Sequence, residues 1–142
     1  MSCPNATAPI DINMGDISGK CDLKCEFSFA YINSSCVATN RGDYIALSYD
    51  DANVPPVIYN TVGYNVSQVR IYTPSLHSYS GTKADAELII IHTSNTGTSP
   101  LLVCIPINTA TSTSPSAILF KNIITTTASS APSDGEHTNI NI

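Results

Sequence analysis

Ala86-Glu87-Leu88-Ile89-Ile90-Ile91-His92 is the stretch on which the fold turns. It is a short, nearly continuous apolar run, the signature of a central strand covered on both faces. A polar loop, Ser94 to Pro100, separates it from a second such run, Leu101 to Ile107, which reads as another central strand. Upstream, Tyr64 and Val66 alternate with polar residues, then the phase changes to Val69 and Ile71, as a β-bulge would produce. Further out, Ile45, Leu47 and Tyr49 alternate, as do Cys25, Phe27, Phe29 and Tyr31, so each segment predicts a strand with one buried face. Asp50 to Asn53 followed by Pro55-Pro56 predicts a turn and an extended piece, because proline disfavours helix at its own position and the one before. Val57 to Tyr59 starts another strand.

One helix is expected. Ser114-Pro115 pairs a capping serine with proline at the first helical position, and Ile118, Leu119 and Ile123 follow at helical spacing. Thr125 to Thr138 reads as a surface loop, and Ile140-Asn141-Ile142 resumes an alternation that stops with the chain. The expectation is a single domain over residues 1–142, mainly β, a twisted and mostly antiparallel sheet with one short helix near the C-terminus, and a natural protein that continues beyond residue 142.

Composition narrows the function. Charged residues are only 12% of the 142, so solubility rests on Ser, Thr and Asn. The net charge is -5 and the six Lys and Arg are scattered, leaving no basic stripe for a phosphate backbone; nucleic acid is not an expected partner. No apolar run reaches the roughly 20 residues of a membrane span. Met1-Ser2-Cys3-Pro4 lacks the basic and apolar regions of a signal peptide. The cysteines at Cys3, Cys21, Cys25, Cys36 and Cys104 are odd in number, so at least one is a free thiol or pairs with another chain, and the pairing stays open. Cys21, Cys25 and Cys36 lack a nearby fourth zinc ligand.

The order of motifs resembles the α-class carbonic anhydrase family, including the catalytically silent versions on particles of large DNA viruses. Pro9-Ile10-Asp11-Ile12 is similar to the family's Ser-Pro-Ile-Asn/Asp-Ile segment, with Ala8 in place of serine. Leu47-Ser48-Tyr49-Asp50 resembles the Leu-x-Tyr strand, and Asn60 to Val66 the Asn-Asn-Gly-His-x-Val segment. Ser75-Leu76-His77-Ser78 through Lys83, followed by Ala86 to His92, is similar to Ser-Glu-His-x(n)-Ala-Glu-Leu-His-x-Val-His and is the most specific match. The family binds zinc through a His-x-His pair on one strand and a third histidine in Glu-Leu-His on the next. Here the pair falls within Arg70-Ile71-Tyr72-Thr73, and the third position is Ile89. The glutamate of Ser-Glu-His is Leu76.

With no ligand left, the resemblance implies a domain without catalysis and without a cofactor, in which His77, Glu87 and His92 are buried polar groups of structural role. It also implies a minor capsid or capsid-associated protein of a large DNA virus, located in the virion and held by other capsid proteins. The alternative expectation is an extracellular or surface-exposed attachment module for a host receptor or glycan. Arg41-Gly42-Asp43, the tripeptide that integrin-type receptors read, carries that alternative, with Asn40 before it favouring an exposed turn. Asn5, Asn33 and Asn65 begin glycosylation acceptor triplets. There is no Gly-x-Ser-x-Gly elbow. Asp50 with Asp51, and Asp85 with Glu87, are the nearest things to carboxylate pairs.

Overall fold

The computed structural model describes residues 8–16, 26–111 and 113–142. The elements in chain order are β1 (Asp11–Ile12), a 3-10 turn (Met14–Asp16), β2 (Phe27–Phe29), β3 (Ser35–Asn40), β4 (Tyr44–Leu47), β5 (Val57–Tyr59) and β6 (Val62–Tyr72). After them come β7 (Ser78–Tyr79), β8 (Thr82–Lys83), β9 (Ala86–Ser94), β10 (Leu101–Ile107), α1 (Pro115–Ser130) and β11 (His137–Asn141). Cys3, Cys21, Cys25 and Asn5 lie outside the described residues.

The main sheet is antiparallel, in the order β10-β9-β6-β4-β3-β11. Strand β6 organises it. One of its sides pairs with β9 along most of its length; the other holds β5 through Val62–Tyr64 and β4 through Val69–Tyr72. The register shifts between Val66 and Gln68, where the apolar phase changes in the sequence. The bulge lets Val66, Val69 and Ile71 all enter one core. Strand β2 hangs on β5, and a small second sheet joins β1, β7 and β8.

The two faces of the sheet differ. One carries Cys36, Ala38, Leu47, Val66, Val69, Ile71, Ile90 and Ile140, which form the core with Ile123 of α1. Ser114 caps α1, its side chain accepting from the Ala117 backbone N–H, with Pro115 at the first turn; the helix packs against β11 and β3. The opposite face carries Thr39, Ala46, Arg70, Ile89 and Cys104 in one cross-strand row, and Tyr44, Tyr72, Glu87 and Pro106 in the next.

Three expectations are corrected. Leu101–Ile107 is not central among the described residues: there β10 is an edge strand paired only with β9, and Leu102 and Ile105 are exposed. Apolar content alone does not distinguish an uncovered edge from a covered centre. Thr125–Thr138 is not one loop. The helix runs on to Ser130 because Thr127 is buried and α1 packs on β11 and β3, while the Thr125 and Thr127 hydroxyls fold back onto the Lys121 and Ile123 carbonyls; β11 then starts at His137. Finally, Phe27 and Phe29 alternate as expected but do not face a core. β2 is an edge strand, and the two rings, 5.8 Å apart, continue a row through Tyr31 to His92.

Candidate functional site

Glu87 is fully buried at the start of β9 and accepts four hydrogen bonds. Oε2 takes the backbone N–H groups of Leu76 (2.8 Å) and His77 (3.0 Å). Oε1 takes His77 Nδ1–H (2.8 Å) and the Tyr79 hydroxyl (2.8 Å). Burial alone would raise its pKa, but the bonds from His77 and Tyr79 outweigh it and hold the carboxyl below its ordinary value. The same carboxylate and burial push the Tyr79 hydroxyl upward. Around it, Ser75 Oγ bridges the His77 carbonyl and the Ala84 N–H, and Asp11 Oδ1 accepts from Ser78 Oγ and Gly81 N–H. The β7–β8 hairpin is thereby fastened to β9 and β1 by polar groups.

His92, at the other end of β9 and on the opposite face, is also fully buried. Its Nδ1–H donates to the Leu101 carbonyl (3.2 Å), and in the neutral imidazole its Nε2 then accepts from the Tyr31 hydroxyl (3.0 Å). Burial holds its pKa below the usual histidine range. The three expected motif residues therefore do not form one site: His77 and Glu87 meet, and His92 stands apart.

The register locates the metal-ligand positions of the resemblance. Arg70 pairs with Ile89 and Tyr72 with Glu87, so Arg70 and Tyr72 project on the face of Ile89, whereas Ile71 projects into the core. Arg70 has no lone pair to donate and carries its own positive charge, and Ile89 is a hydrocarbon; this donor set does not fit a zinc ion. Arg70 Nε donates to Gln68 Oε1 (2.6 Å) and Nη1 to the Tyr72 hydroxyl (3.3 Å), and the guanidinium lies 5.1 Å from the Tyr44 ring centroid. Sequence spacing reveals Gln68, Arg70 and Tyr72 as one face of a strand; Tyr44 joins them only through the β4–β6 register.

Among the described residues, one other group has metal-ligand chemistry: the donor atoms of His77, Glu87 and Cys104 lie within 4.8 Å of one another. Both oxygens of Glu87 are already taken by four donors, and burial and the Glu87 charge push the Cys104 thiol upward, away from the thiolate a metal needs. As built, the cluster is closed by hydrogen bonds. Asp85 does not pair with Glu87; it is exposed and accepts from the Thr109 N–H.

Arg41, Gly42 and Asp43 form the exposed β3–β4 turn. Gly42 has φ of 73°, its N–H donates to Asn40 Oδ1, and Arg41 N–H donates to the Tyr44 carbonyl. Gly42 and Asp43 also line a groove of about 1140 Å³ on the helix side of the sheet, with Ile45, Ile71, Ile105 and Phe120 among its apolar walls.

The architecture matches known structures. Dioscorin complexed with ascorbate superposes with a TM-score of 0.74 at 17% identity, over 93% of this chain and 52% of that one. The fungal α-carbonic anhydrase from Aspergillus oryzae gives 0.73 at 15% identity, over 93% and 53%. This is an α-carbonic-anhydrase-like fold. The carbonic anhydrase from Thermovibrio ammonificans, solved with sulfanilamide, gives 0.66 at 19%, over 80% and 48%. The chain thus spans about half the length of these carbonic-anhydrase-like neighbours. No family model matches the sequence, and no curated protein does. Among the described residues, no helix is long and apolar enough to cross a membrane.

Proposed function

We propose that this chain is a non-catalytic structural protein, a minor capsid or capsid-associated component of a large DNA virus that works through protein contacts. The observation that carries the non-catalytic part is the occupancy of the three ligand positions by Arg70, Tyr72 and Ile89. Without a bound metal there is nothing to lower the pKa of a water towards 7 and generate a nucleophile. Protein contact is supported by the apolar surface: Leu102 and Ile105 on the open edge of β10, and Ile118 and Ile124 on α1, are exposed. The viral attribution rests on the resemblance to silent versions of the family on virus particles, together with the low-charge, hydroxyl- and amide-rich composition.

The test is mass analysis of the protein gently purified from its native source. A large assembly containing virion proteins and no zinc on this chain is the expected result. A free monomer carrying one zinc would overturn the reading and reopen the enzyme.

A second reading, host attachment, is favoured by the exposed Arg41-Gly42-Asp43 turn. It predicts that Asp43→Ala abolishes binding of the purified protein to cells; unchanged binding removes the turn from consideration.

A further inference from the structure

We propose that Arg70 is the centre of a binding site for a small organic carboxylate, on the sheet face that bears the resemblance's metal-ligand positions. The side chain is half-buried at the middle of β6, and among the described residues no carboxylate lies within ion-pair distance of it. Among the described residues its partners are all neutral: Gln68 Oε1, the Tyr72 hydroxyl and the Tyr44 ring. A guanidinium withdrawn from water without a counter-charge is costly, and an external anion removes that cost.

The geometry selects the anion. Gln68 and Tyr72 stand two residues before and after Arg70 on the same face and anchor Nε and Nη1, while the guanidinium lies over the Tyr44 ring, which in turn packs on the Tyr72 ring 5.0 Å away. Three of the five N–H groups stay open, at least one on each terminal nitrogen. That end-on fork matches the two oxygens of a carboxylate. One positive charge, with the ionised Glu87 in the next row across from Tyr72, suits a monoanion better than a phosphate dianion. Ile91, half-buried, and Leu102, exposed, lie on the same face across from Gln68 and offer an apolar floor for the body of the ligand. The site is independent of the structural role proposed above: it stands or falls on Arg70 alone.

The experiment is a titration of the full chain at constant ionic strength, with sodium benzoate, sodium acetate and inorganic phosphate as probes, following the Arg70 Nε–H signal by nuclear magnetic resonance and binding by calorimetry. Saturable benzoate binding with Kd on the order of millimolar is expected, with acetate weaker and phosphate weaker still. Arg70→Gln should weaken benzoate at least about tenfold, Arg70→Lys should be intermediate because it keeps charge but loses the fork, and Lys121→Gln, on the exposed face of α1, should change nothing. A linear, non-saturating response, or equal binding by Arg70→Gln and the parent, would overturn the site. Phosphate binding as tight as benzoate would overturn the carboxylate assignment. Because Arg70→Gln could unfold the sheet, the far-ultraviolet circular dichroism of each variant is compared first, and the Arg70→Lys result decides if Arg70→Gln does not fold.

Discussion

Replacing Glu87 by glutamine removes one charge and turns one acceptor oxygen into a donor, with almost no change in volume. Glu87 is fully buried and both of its oxygens accept two donors each. On the Oε2 side its NH2 group meets the Leu76 and His77 backbone N–H groups, which only donate; on the Oε1 side it is accommodated only if His77 changes tautomer and the Tyr79 hydroxyl turns to accept, so two carboxylate bonds are given up in either orientation. Two charge-assisted bonds are lost at roughly 1.5–3 kcal/mol each, and the stranded donors are buried, so the cost is about 3–5 kcal/mol, in the range found for breaking a buried ion pair. Against a total stability of about 5–15 kcal/mol this is a large fraction. It should lower Tm by about 10–15 °C for a domain of this size. Tyr79→Phe is the internal comparison, because it removes one donor and leaves Glu87 with three; it should cost about 1.5–3 kcal/mol, one charge-assisted bond. Urea unfolding followed by circular dichroism measures both. A Glu87→Gln variant within about 1 kcal/mol of the parent, or no worse than Tyr79→Phe, would refute the claim that this carboxylate fastens the β7–β8 hairpin to the sheet.

Other outcomes follow from the same structure. Stability should fall in two stages as pH drops: the folded pKa of His92 is depressed by burial, so loss begins near the unfolded histidine value of about 6.5 and ends at the folded value; the depressed Glu87 then adds a second loss below about 4.3. His92→Gln should remove the first stage and leave the second, as read from urea midpoints between pH 8 and 3. Thr61 sits at φ of 70° in the β5–β6 turn after Asn60 at 48°, a left-handed position unfavourable for a β-branched residue, so Thr61→Gly should raise stability by about 1 kcal/mol in thermal unfolding. Ile123, 2% exposed, is the α1 side chain set in the core, and Ile123→Ala should cost about 2–5 kcal/mol and speed hydrogen exchange through the helix.

Much of this fold is written in local pattern. Glu87 to His92 announces a strand covered on both faces, the phase change between Val66 and Val69 marks a real bulge, and Ser114-Pro115 places the helix start. What the pattern misses depends on neighbours far away in sequence. Thr125 to Thr127 have poor helix propensity and are held helical by the packing of α1 on β11 and β3, with Thr127 buried. Leu101 to Ile107 is as apolar as a central strand yet stands at the edge. In the candidate site, the motif that carries the resemblance marks His77, Glu87 and His92 as buried polar groups, but the His77–Glu87 contact itself comes from the fold. Tyr79 and Cys104 near Glu87, and Tyr44 beside Arg70, come only from register and hairpin geometry.

The central claim, that neither the three ligand positions nor the hydrogen-bonded His77, Glu87 and Cys104 cluster takes up a catalytic metal, is tested most directly by native mass spectrometry of the purified chain after incubation with excess zinc and buffer exchange, with carbon dioxide hydration measured on the same sample. The account predicts the mass of the bare chain and a hydration rate equal to buffer. One zinc retained per chain, lost on Cys104→Ser or His77→Ala and accompanied by hydration above buffer, would contradict it, and would show that the His77, Glu87 and Cys104 cluster opens to take the ion.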